Sequence, residues 1–103
     1  MTYKSKRSKA TDIPMKVKQA VYERDNGICI YCGRKGLPNA HYIARSHGGL
    51  GIEQNIVTLC LACHHNYDNG NLRQELSKYI RNYLRNIYPD WNEQELIYDK
   101  WKK

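Results

Sequence analysis

The chain is 103 residues long, with a formal net charge of +7 and a pI near 9.3. That length allows one domain with extensions and a modest core, for which a metal staple is a natural supplement. No apolar run approaches membrane-span length, which argues against integral-membrane functions, and the basic balance favours a polyanionic partner, foremost nucleic acid.

Residues 1–10 read as a disordered basic arm. Lys4, Lys6, Arg7 and Lys9, joined by Lys16 and Lys18, face only Asp12 in the first part of the chain. Such an arm can follow a phosphate backbone and order on contact, so Lys4, Lys6, Arg7 and Lys9 are candidate DNA contacts. Met1–Ala10 is polar, unlike a signal peptide, and a reducing cytoplasm is the expected setting. Thr11 or Asp12 is expected to cap a helix with Pro14 in its first turn. Val17, Ala20 and Val21 give that helix an apolar face through about Arg24. Asp25–Asn26–Gly27 is a turn that delivers Cys29.

Cys29–Ile30–Tyr31–Cys32 and Cys60–Leu61–Ala62–Cys63 form two C-x-x-C pairs. In a reducing compartment they predict a metal clamp rather than two disulfides. Four thiolates satisfy a tetrahedral Zn²⁺ completely, so the site is structural and the chemistry must come from what it positions. Gly33 lets the first knuckle bend back around the metal. Leu37–Pro38–Asn39 interrupts regular structure, Ala40–Ile43 is a short strand candidate, and Arg45–Gly51 is a loop. Asn55–Leu59 is a second extended segment, and a helix begins near Cys63 and breaks at Asn69–Gly70. Leu72, Leu76, Tyr79, Ile80, Tyr83, Leu84 and Ile87 recur at helical spacing and predict an amphipathic helix over about 71–87, ended by Pro89. Asp90 and Glu93 resemble a capping box for a last helix reaching Trp101.

Between and beside the thiol pairs lie His41, Asn55, His64 and Asp68. His64 and Asp68, four apart, share one helix face. An imidazole and a carboxylate so placed suit a divalent ion with open positions, such as Mg²⁺, Mn²⁺, Ni²⁺ or a second Zn²⁺.

This His-Asn-His order within paired knuckles resembles the HNH endonuclease family, of the zinc-stapled type often encoded by bacteriophages. The resemblance rests on Ala40–His41, Gly48–Gly49, the run from Asn55 to Cys60, and Cys63–His64, and it covers about residues 15–70. It implies a small α+β fold: a ββα-metal (His-Me finger) core stapled by a Cys₄ zinc site, with flanking N- and C-terminal helices. Residues 11–70 would be the nuclease core and 71–103 a C-terminal helical extension. The implied activity is metal-dependent DNA cleavage, of one strand or both, leaving 5′-phosphate and 3′-hydroxyl ends. By that resemblance His41 matches the general base, Asn55 the residue that pins the loop and orients the base, and His64 a metal ligand. Asp68 stands where nuclease colicins place another ligating His. DNA is the implied partner, with a phage terminase as a further one, and a monomer or homodimer working in the host cytoplasm is expected. Many members carry an acidic residue or His just before the base; here it is Ala40, and His65 and Tyr67 are the neighbours able to replace it. Arg45 is a candidate phosphate clamp, and His47 a solvent or phosphate contact. The competing reading is a non-catalytic zinc-stabilised DNA-binding module, which needs no general base.

Overall fold

Two short antiparallel strands cannot bury a face alone, and four helices supply the cover. The computed structural model describes residues 6–99. Helix α1 spans Lys6–Thr11 and α2 Met15–Arg24; strand β1 spans Leu37–His41 and β2 Ile56–Leu59; α3 spans Leu61–Asn69 and α4 Arg73–Ile87. Three single 3₁₀ turns lie at Arg45–His47, Glu53–Asn55 and Glu93–Leu96. No helix among the described residues is long and apolar enough to cross a membrane.

The register pairs Leu37 with Leu59, Ala40 with Val57 and His41 with Ile56, so β1 carries one extra residue between Leu37 and Ala40. Pro38 falls in that bulge, where a missing N–H is tolerated. The interruption expected at Leu37–Asn39 is therefore a bulge within the strand. Val57 and Leu59 point into the main core beside Ala40, Tyr42, Tyr67 and Leu96. Strand alternation turns Ile56 and Thr58 the other way, and α2 packs along the sheet.

Leu76, Ile80 and Leu84 are fully buried one turn apart and seat α4 on the core, as their spacing predicts. Tyr79 and Ile87, read as part of that stripe, are instead exposed, because the buried seam of a helix meeting one neighbour is narrower than the apolar pattern. The final helix expected from Asp90 to Trp101 is a single 3₁₀ turn, and Trp101 lies outside the described residues. Asn92, not Asp90, caps that turn through Gln94 N–H. The chain cannot stay helical past Leu96. Leu50 N–H donates to Leu96 O, and Tyr98 N–H donates to Gly48 O, which holds this stretch extended along the loop.

At the other end, residues 6–10, read as disordered, form α1. Thr11 does not cap the next helix; its hydroxyl donates to the Arg7 and Ser8 carbonyls, and Pro14 precedes α2 as the cap residue. The rest of the arm, residues 1–5, lies outside the described residues.

Asp25, expected in an exposed turn, is buried and ties three elements together. Its carboxylate takes both a lateral pair of hydrogen bonds from Arg24 and the Thr58 N–H of β2, and it accepts from Tyr83 of α4. Arg24 also donates to the Glu53 and Ile56 carbonyls. Burial opposes the guanidinium's charge, but the bonds to Asp25 and Tyr88 outweigh it and hold the proton more tightly than usual. Removing one partner of such a pair leaves an uncompensated buried charge. Asp25→Ala is expected to lower the unfolding free energy by about 3–5 kcal/mol in urea titrations of the metal-loaded protein. A loss below about 1 kcal/mol would reduce the pair to the worth of a surface bridge.

Candidate metal and catalytic site

The first knuckle is a tight hairpin. Cys29 N–H donates to Arg34 O, Gly33 N–H returns to Cys29 O, and Gly33 itself turns at φ 82°. The second knuckle is the start of α3, with Cys60 as its cap residue. The two bring Cys29, Cys32, Cys60 and Cys63 together, their four sulfurs all within 4.8 Å of one another. A Zn²⁺ with bonds of ~2.3 Å needs tetrahedral edges of about 3.8 Å, so the cluster fits that ion closely. All four thiols are free, and the donor set could hold a structural metal such as zinc.

Each knuckle aims a backbone N–H at its first sulfur: Cys32 N at Cys29 Sγ, 3.5 Å, and Cys63 N at Cys60 Sγ, 3.4 Å. At Cys29 burial resists ionisation, yet the N–H groups around it prevail and bring the thiol down to about 7. Burial and the neighbouring thiols push Cys63 up. One site therefore holds a ready thiolate beside a reluctant one, which a cation would relieve.

The second constellation forms around the end of β1. His41 is partly buried, and its Nε2 lies 2.9 Å from the carbonyl oxygen of Thr11. Burial lowers its pKa below the ordinary 6.5, the Thr11 carbonyl works against that, and Arg45 and His64 lower it further. The neutral form of the ring is thereby favoured. On α3, His64 Nε2 stands 3.2 Å from Asp68 Oδ2, the contact expected from their spacing, and both side chains reach solvent. His41 and Asp68 line one open cleft with Ala44, Arg45, Ser46, His47 and Arg73. Among the described residues the four thiols are the one group of three or more metal-ligating side chains, so beside His41 there is a two-donor pair and no third protein ligand.

Asn55 is fully buried, and all three of its side-chain bonds go to the loop between the strands. Its Oδ1 accepts from Ile43 N, and its Nδ2 donates to Ile43 O and Leu50 O. These bonds tie Asn55 to the loop, and no bond from its side chain to His41 is present. Ala40 is fully buried beside Val57, facing the core rather than the cleft. Tyr67 is buried with its hydroxyl donated to Tyr42 O, and so cannot stand in for the missing ligand. His65 and His47 are exposed, His47 at the cleft edge.

The candidate DNA contacts divide. Lys6 and Lys9 are exposed on α1, while Lys4 lies outside the described residues. Arg7 donates to the Arg45 and Ser46 carbonyls, and Arg45 pairs with Asp12. Arg73, outside the apolar stripe of α4, sits at the cleft, held over the Tyr67 ring and bonded to Tyr67 O. Its position at the first turn of α4, just past the α3 breaker, is the signal that could have placed it.

Residues 29–70 match the family model described as HNH endonuclease. The match runs from the first knuckle to the end of α3 and takes in His41, Asn55, His64 and Asp68. Comparison with curated proteins finds no match for the chain.

If the thiol cluster is a structural zinc site, purified protein should carry one zinc per chain by elemental analysis. Chelation or Cys60→Ser should then collapse the helical circular dichroism signal, since zinc in such sites contributes about 10–16 kcal/mol of apparent folding free energy. Full helicity without metal would reject the staple.

Proposed function

Taking the HNH endonuclease domain at residues 29–70 as premise, we propose that the protein is a metal-dependent DNA endonuclease with His41 as general base. One observation carries the reading: a partly buried imidazole, its pKa lowered by burial, shares an open cleft with Asp68 of the His64–Asp68 pair. An imidazole below its usual pKa is available to accept a proton from water at neutral pH. His64 and Asp68 would hold the divalent ion, of the Mg²⁺, Mn²⁺, Ni²⁺ or Zn²⁺ class. Two protein donors leave positions open for water and a phosphate oxygen, which suits a catalytic rather than a structural site. When bound, such an ion would offset charge developing on the phosphate and the leaving 3′-oxygen.

The residues of this chain then have distinct tasks. His41 takes the proton of the attacking water. Asn55 keeps the loop at its place behind the cleft. Arg45 and Arg73 offer guanidinium groups to flanking phosphates, and Lys6 and Lys9 add to the field that draws a polyanion. Hydrolysis at phosphorus would leave 5′-phosphate and 3′-hydroxyl ends. A place in phage DNA processing beside a terminase, in the host cytoplasm, belongs to the same reading and rests on the resemblance alone.

The buried Ala40 favours a second reading, a zinc-stabilised DNA-binding module without catalysis, since the cleft has one ligand position fewer than many family members. Plasmid relaxation separates the two. His41→Ala is expected to reduce cleavage by about 10²- to 10⁴-fold while DNA affinity stays near that of the parent. A parent protein that binds DNA but cuts none with any of the four metals supports the module instead.

The acid limb of the pH profile is a further check. His41 is inactive when protonated, so kcat/KM at saturating metal should rise as pH passes its pKa. With that pKa lowered, the inflection is expected below 6.5. An inflection above that value would assign the limb to another group.

A further inference from the structure

The segment Arg7–Asp12 lies outside the matched domain, yet it touches the cleft at four points. Thr11 O meets His41 Nε2 at 2.9 Å. Asp12 holds the Arg45 guanidinium. Arg7 donates to Ser46 O at 2.9 Å and to Arg45 O at 3.3 Å. Gly51 N–H donates to Ala10 O at 3.0 Å. The fit is close enough that a Cβ at Gly51 would stand 1.9 Å from the Asp12 carbonyl oxygen. Thr11 is buried, and its hydroxyl is turned back on its own helix, which leaves the backbone oxygen to the imidazole.

A carbonyl oxygen has no proton to give. The ring nitrogen facing it must therefore carry the hydrogen, and in a neutral imidazole the other nitrogen then holds the free lone pair. We propose that this N-terminal segment is a positioning element of the site: Thr11 O fixes His41 as the Nε2–H tautomer, so that Nδ1 is the proton acceptor, while Asp12 and Arg7 hold the loop carrying Arg45 in register with it. The inference rests on the nuclease reading for its catalytic use, but its tautomer is measurable without any reaction.

The experiment is ¹⁵N-edited NMR of the imidazoles in the full metal-loaded chain, beside plasmid cleavage, for the parent, Gly51→Ala and Arg7→Gln. The parent should show a protonated Nε2 and a bare Nδ1 at His41. Gly51→Ala forces the segment off the loop and should mix the two tautomers. Its kcat should fall by about tenfold to a hundredfold, with KM for DNA unchanged. Arg7 is exposed, so Arg7→Gln costs little packing; it should mix the tautomers and lower kcat in smaller degree, and it serves if Gly51→Ala does not fold. A parent ring protonated at Nδ1, or variants that keep both tautomer and kcat, overturn the proposal whatever the protein cuts. A parent that shows the expected tautomer but cleaves no DNA overturns the nuclease reading, and with it the catalytic use of the contact.

Discussion

Convergence of the four thiols is the constraint from which the rest of the molecule takes its geometry. It ties the hairpin around Cys29 and Cys32 to the end of β2, closing a long loop whose ends would otherwise be free to separate at a modest entropic gain. It also fixes the rotation of α3. Cys63 must face the other sulfurs, and Tyr67, four residues on, follows it into the core, where its hydroxyl reaches Tyr42 O. Each residue turns a helix by about 100°. His64 and Asp68, one place after Cys63 and Tyr67, are thereby swung out to solvent, Asp68 into the cleft that His41 lines. The spacing Cys-His, then Tyr-Asp one turn later, couples the thiol cluster to the proposed catalytic site through one helix.

Legibility in the sequence follows locality. The thiol pairs, the α4 seam of Leu76, Ile80 and Leu84, and the i, i+4 contact of His64 with Asp68 are all set by spacing within one element, and spacing is what a sequence displays. What was hidden depends on long-range neighbours. Arg24 reads as a helix end and Asp25 as the start of a turn; only the arrival of Thr58, Tyr83 and Tyr88 makes them a buried junction. Residues 6–10 read as part of a loose basic arm because so short a helix does not stand alone in water. Its order comes from the loop it meets, through Arg7 and Ala10, and those partners are far along the chain. The place of Arg73 at the cleft depends on the return of α4 against α3, which its own helix does not display.

The loop between the strands shows how that hidden order is built. Asn55 grips it from inside at Ile43 and Leu50. The segment ending at Tyr98 lies along it at Gly48 and Leu50, and the segment ending at Asp12 crosses it at Arg45, Ser46 and Gly51. Gly49 allows this crowding, since a Cβ there would sit 1.7 Å from the Ile43 carbonyl oxygen. Both flanks of the matched domain thus close on the one loop that frames His41. The domain boundaries given by the family match are narrower than the unit that shapes the cleft.

Ala40 is the point where packing and chemistry compete most directly. The bulge at Pro38 shifts the pleat of β1 so that position 40 meets Val57 in the dry interior while His41 turns outward. A carboxylate at 40 in this register would lose its water without a partner, at a cost a marginal core does not absorb. Alanine leaves the core intact and removes one negative charge from the neighbourhood of the cleft. What remains there is Asp68 among Arg45, Arg73 and the histidines, with Asp12 engaged by Arg45. In the proposed mechanism such a cleft would rely on substrate phosphate, more than on protein oxygens, to complete the shell of a divalent ion.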